Sequence, residues 1–134
     1  MIEKIMCGEQ ILAIIISVRF TEPGIHFFTP GDFSQQLAYM KRPKGYEIDP
    51  HVHNAVPRSI EWTQEVLFIK SGRVRVDFYD QARVYLESRE LCSGDVILLA
   101  HGGHGFTMLE ESEIIEVKQG PYAGELDKVR FKGR

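Results

Sequence analysis

The sequence predicts an all-β fold, a single domain over residues 1–134 built as a barrel or a two-sheet jelly roll. Three observations predict it. Isoleucine-, valine- and aromatic-rich runs are short and numerous, and turns carrying glycine or proline separate them. One run alternates cleanly: Val74, Val76 and Phe78 fall on one face, Arg73, Arg75 and Asp77 on the other. Helical periodicity is weak throughout, with one turn at most, over 31–36.

The strands are expected in chain order. Residues 10–20 form an apolar strand, followed by short strands at 25–28, 36–40 and 46–53. Residues 65–79 read as a hairpin closed by Ser71-Gly72. A strand follows over 83–91, then the turn Ser93-Gly94-Asp95 and a buried strand over 96–100. Gly102-Gly103 interrupts the pattern, which resumes at 106–109, and 113–118 is the last strong strand. No repeat, linker or low-complexity stretch divides the chain.

Composition narrows the class. A hydrophobic fraction of 43% with 26% charged residues suits an ordinary globular core. A net charge of -3 leaves no overall footprint for nucleic acid. The locally basic residues 128–134 read as a solvated tail. The longest apolar run, 11–16, is far short of a membrane span, and no secretory leader is visible. A cytoplasmic location, with no membrane partner, is the expectation. Cys7 and Cys92 have no ligand spacing and read as free thiols, though one disulfide stays open.

The chemistry concentrates in histidines and one carboxylate. His51 and His53 are two apart, so on a strand both imidazoles face one side. Glu65 heads an apolar run, where an unpaired buried carboxylate is unfavourable and a metal would relieve it. Imidazole and carboxylate together suit iron, manganese, zinc or nickel.

The spacing around these residues is specific. Gly45 precedes His51-Val52-His53 by five residues; Glu65 follows after eleven more and stands six residues ahead of Gly72. Then come Gly94-Asp95, a hydrophobic strand, and Gly102-Gly103-His104. This pattern, over 45–108, resembles the two motifs of the cupin superfamily. The resemblance implies a cupin-type double-stranded β-helix holding one divalent metal ion, with His51, His53, Glu65 and His104 as ligands. Three departures accompany it: a long gap between His53 and Glu65, Ala100 where the family has proline, and a bend before His104 one residue short, which makes His101 a competing ligand. Met108 stands where the family has asparagine.

The insertion 54–64 is expected at the barrel mouth. There Arg58 suits an anionic ligand group, Glu61 a general base, and Trp62 stacking on a ligand. Tyr39 and Lys41 share a strand face and are candidates for the pocket lining, whereas Arg75 and Asp77 read as solvated and His26 as a packed or surface histidine. The style of the chain also resembles small stand-alone cupins related to sugar and nucleotide-sugar isomerases. The functional expectation is therefore an enzyme on a small polar substrate. An iron-dependent dioxygenase and a non-catalytic small-ligand module are the alternatives. In a metal-free isomerase of this type, His51 and His53 would be the acid and base. The apolar strand 11–18 presents both faces, which points to a covering partner and a homodimer.

Overall fold

The computed structural model describes residues 1–134 and is all-β, with ten strands and one short 3₁₀ turn. The strands are β1 (Ile2–Cys7), β2 (Gln10–Ile16), β3 (Gly24–Phe27), β4 (Ala38–Lys41) and β5 (Glu65–Ser71). They continue with β6 (Arg73–Tyr79), β7 (Tyr85–Cys92), β8 (Val96–Leu99), β9 (Gly103–Met108) and β10 (Glu113–Lys118). A five-stranded sheet has the order β1-β2-β8-β5-β10, a three-stranded sheet the order β7-β6-β9, and β3 pairs with β4 alone. Every pairing is antiparallel.

Residues 65–79, expected as a hairpin, are not one: β5 and β6 do not pair with each other, and the chain bends at Gly72 from the larger sheet into the smaller. Gly72 makes the crossing at φ 87°, and a Cβ there would collide with Ser112 and the Glu111 carbonyl. The inner faces then meet: Leu67, Ile69, Ile97 and Leu99 of the larger sheet pack with Val74, Val76 and Phe78 of the smaller. Asp95 ties the turn before β8 to two neighbours, accepting hydrogen bonds from the backbone N–H of Val18 and of Cys92, both at 2.7 Å.

Several expectations change. The sheets do not close into a barrel. Residues 46–53, expected as a strand, have no regular structure. Pro43, Pro50 and Pro57 each remove a backbone donor, Gly45 sits at φ 85°, and no ladder forms. The outer edge of β9 is consequently unpaired. No helical turn forms over 31–36, while an edge strand, β1, covers residues with little alternation. The apolar β2, read as awaiting a partner chain, is covered by this chain itself: Leu12 to Ile16 are all buried. Cys7 and Cys92 are free thiols. No helix is long and apolar enough to cross a membrane.

Phe78 is 1% exposed at the centre of the interior. Phe78→Ala is expected to remove about 3–5 kcal/mol of stability, read as a lowered urea midpoint at unchanged slope; a loss below about 1 kcal/mol would contradict the packing described.

Candidate functional site

Sheet register sets the site. Opposed residues of antiparallel strands share a face, so the inner face of the larger sheet can be read in rows. Ile69 lies opposite Ile114, Leu67 opposite Glu116 and Ile97, and Glu65 opposite Lys118 and Leu99. The face therefore grades from apolar to charged toward the start of β5. In the smaller sheet, His104 lies opposite Phe78 and Phe106 opposite Val76, which turns His104 inward at the same end. The result is Glu65 Oε1 and His104 Nε2 facing each other across the two sheets at 3.7 Å.

Gln64 fixes where β5 begins. Its side chain is 3% exposed and its Oε1 accepts from the Gln35 backbone N–H at 3.0 Å and the Ser34 hydroxyl at 3.3 Å. Its carbonyl accepts from the Gln119 N–H at 3.0 Å. The next residue, Glu65, is thereby held at the edge of the interior.

The electrostatics separate two carboxyl groups. The His104 imidazole facing Glu65 holds its carboxyl below the ordinary carboxylate range, against the opposing effect of burial, and Lys118 adds to it. Burial raises Glu116, and the negative charge of Glu65 raises it further. Lys118 donates to Asp127 at 2.9 Å, and Asp127 also accepts from the Thr63 hydroxyl. The bond to Asp127 raises Lys118, while the Thr63 and Lys118 bonds lower Asp127.

Glu65, His104 and Glu116 border a cleft of about 960 Å³. Trp62 and His101 also line it, their rings 6.2 Å apart, as do Tyr79 and the C-terminal residues from Leu126 onward. The outer face of the smaller sheet contributes Arg75 and Asp77. These two, expected to be solvated, instead form a bidentate ion pair at 3.0 and 3.3 Å, with Asp77 only 5% exposed. Burial alone would raise Asp77, but bonds from Ser88 and Arg75 outweigh it and hold the carboxyl low.

The other sequence candidates lie elsewhere. His51 and His53 are exposed in the strandless segment 42–64, their rings 5.2 Å apart, and His51 Nδ1–H donates to the Asp49 carbonyl at 2.9 Å. Arg58 and Glu61 are exposed in the same segment and outside the cleft lining. Tyr39 does not line the cleft: it packs on Phe20 with ring centroids 4.8 Å apart. Lys41 donates to Thr21 instead, and His26 bonds to the Pro23 carbonyl. His101 meets Phe33 and Trp62 edge-on.

Imidazole and carboxylate donors suit a divalent transition metal chemically. Of the four residues with ligand spacing, the structure brings together Glu65 and His104, and no group of three or more His, Cys, Asp or Glu side chains gathers at metal-binding distances. As arranged, the four do not fit one ion. The residues that sequence reasoning missed are Glu116, Lys118, Thr63 and Asp127. For Glu116 the only available signal was its place two residues after Ile114 on a strand.

The fold and site thus define an all-β domain of antiparallel sheets with an acid–base cluster in a cleft at one end of its interior. No known protein family, curated protein or solved structure matches the chain.

The two shifts predict opposite pH behaviour in substitutions. Glu65 has a depressed value in the fold, so its stabilisation is present above the unfolded carboxylate range and is lost as pH falls through the folded value. Glu65→Gln is expected to lower stability near pH 7, with the deficit shrinking in acid. Glu116 has a raised value, so wild type loses stability as pH rises through it. Glu116→Gln is expected to stabilise at neutral pH, with the gain vanishing once pH falls below the unfolded carboxylate range. Urea midpoints across pH check both; parallel profiles for the two variants would contradict the cluster.

Proposed function

We propose that the chain is an enzyme of the cupin jelly-roll type that isomerises a small polar molecule, a sugar or nucleotide sugar, in the cleft beside Glu65 and His104. The observation that carries this is the 3.7 Å approach of a carboxylate and an imidazole from opposite sheets, at the mouth of a cavity large enough for a sugar. The sheet order supports the fold reading, because β8 inserts between β2 and β5 and joins strands far apart in sequence, as a jelly roll does.

The chemistry follows from the geometry, a carboxylate and an imidazole facing each other at the cleft. Glu65, held ionised, takes a proton from a carbon next to a carbonyl. His104 donates a hydrogen bond to the carbonyl oxygen as charge builds there. His104 then passes its proton to that oxygen and takes the proton of the adjacent hydroxyl, and Glu65 returns its proton to the former carbonyl carbon, so both groups end as they began. The divalent ion suggested by the sequence belongs to this reading only if residues 42–64 carry His51 and His53 to Glu65 and His104.

A homodimer also belongs to the reading, through a face other than β2. Phe68 and Ile115 are opposed across β5 and β10, with Val66 and Val117 beside them, and Phe68, Ile115 and Val117 are 39%, 52% and 56% exposed. Phe68→Glu is expected to convert a dimer to a monomer by sedimentation; a wild-type monomer at micromolar concentration would refute this part.

The test of function is a panel of sugars and nucleotide sugars incubated in D₂O and read by proton NMR. Isomerisation with deuterium entering the carbon next to the carbonyl is expected, and Glu65→Gln and His104→Gln should slow it by about 10²–10⁴-fold. Tight binding without turnover would replace the enzyme with a binding module, and substrate-dependent oxygen consumption would replace it with a dioxygenase. Elemental analysis of wild type against His51→Ala settles the metal: an ion lost in the variant supports it, and metal-free active protein contradicts it.

A further inference from the structure

Residues 128–134 do not behave as the solvated tail their composition suggests. After the 3₁₀ turn Gly124–Asp127, the chain from Lys128 to Arg134 joins no strand or helix, yet it is seated on the body at three points. At the near end, Asp127 accepts from Thr63 and from Lys118 beside Glu65. In the middle, Phe131 packs on Tyr79 with ring centroids 5.1 Å apart. At the far end, the Arg134 guanidinium donates to Tyr85 at 3.1 Å, Ser88 at 3.0 Å and Asp77 at 3.5 Å, and lies 4.8 Å from the Tyr85 ring centroid. The Arg134 backbone N–H donates to the Tyr79 hydroxyl at 3.1 Å.

The seat is shaped for the segment. Gly103 lies under Phe131: a Cβ there would stand 3.0 Å from Phe131 Cζ and 3.3 Å from Tyr79 Cβ. Gly103 pairs with Tyr79 and faces the opposite side of its strand from His104, so Phe131 sits on the outer face of the smaller sheet, behind the imidazole, while Asp127 holds the near end beside Lys118. Leu126, Asp127, Phe131 and Arg134 all border the same cleft as Glu65 and His104. The attachment is made by side chains, several of them charged and partly exposed, and not by a backbone ladder. Such contacts open locally without unfolding a core and weaken with salt.

We propose that residues 124–134 are a strap that crosses the mouth of the cleft at Leu126 and Asp127, is latched on the outer face of the smaller sheet by Phe131 and Arg134, and unlatches to admit substrate. This rests on the cleft being the reaction site, and it adds what closes that cleft.

Two readouts that need no turnover test it. Lys128, Arg130 and Lys132 are trypsin sites within the strap, and diethylpyrocarbonate reports how freely a small reagent reaches His104. Phe131→Ala and Arg134→Gln are expected to speed cleavage within the strap several-fold, as is 0.5 M NaCl on wild type. Gly103→Ala, which displaces Phe131 without altering the strap, should do the same in the trypsin assay. In Phe131→Ala and Arg134→Gln, carbethoxylation of His104 should rise several-fold while that of exposed His51 stays constant, with the melting midpoint close to wild type. Equal cleavage in wild type and all variants would overturn the latch. Faster cleavage with an unchanged His104 rate would overturn its cover of the cleft. Cleavage spreading into the sheets would show a folding role instead. None of these outcomes depends on whether isomerisation is found, so the strap and the reaction fail separately.

Discussion

The interior of this domain ends on charge, and the arrangement at that end depends on how the charge is met. Rows of opposed residues run from Ile69 and Ile114, through Leu67 and Glu116, to Glu65 and Lys118. A carboxylate on the inner face of a sheet is tolerated only with partners that replace water. His104 supplies one from the opposite sheet, and Lys118 supplies positive charge from the neighbouring strand. The same contact that makes Glu65 acceptable sets it against an imidazole in a cavity, which is the geometry a proton transfer needs.

The rest of the cleft follows from that requirement. Lys118 does not stand free: Asp127 holds it, and Thr63 in turn holds Asp127. Asp127 belongs to the segment after β10, so the charge beside Glu65 is coupled to how the chain beyond the last strand lies. On the other side of β9 a second buried carboxylate, Asp77, plays the matching part. Arg75 grips it in two places and Arg134 reaches it from the strap. One carboxylate faces inward and one outward, and the segment that borders the cleft touches the partners of both.

Much of the fold was legible because local chemistry and register agreed. Gly72 marks a break between two strands in the sequence, and its positive φ serves a bend from one sheet into the other, not the hairpin its neighbours suggest. The alternation of Val74, Val76 and Phe78 matched their burial. Residues 46–53 failed because the apolar pattern was weighed without Pro50, which removes a ladder donor just before His51. Of the ligand set that the resemblance implies, Glu65 and His104 border one cleft, whereas His51 and His53 lie on a segment that forms no strand. Glu116 was hidden because Ile114 and Ile115 are both apolar, so the sequence does not say which face of β10 is inward. Asp77 was assigned to the correct face but judged wet, because nothing local to β6 announces that Arg134, distant in sequence, covers it.

The most direct test of the account is a double-mutant cycle between Glu65→Gln and His104→Gln, read by urea unfolding at neutral pH. If carboxylate and imidazole meet across the sheets, the two losses are non-additive by more than about 0.5 kcal/mol, the range found for residues in contact. Additivity within about 0.3 kcal/mol would mean the two side chains do not meet, and the reaction centre built on them would fall.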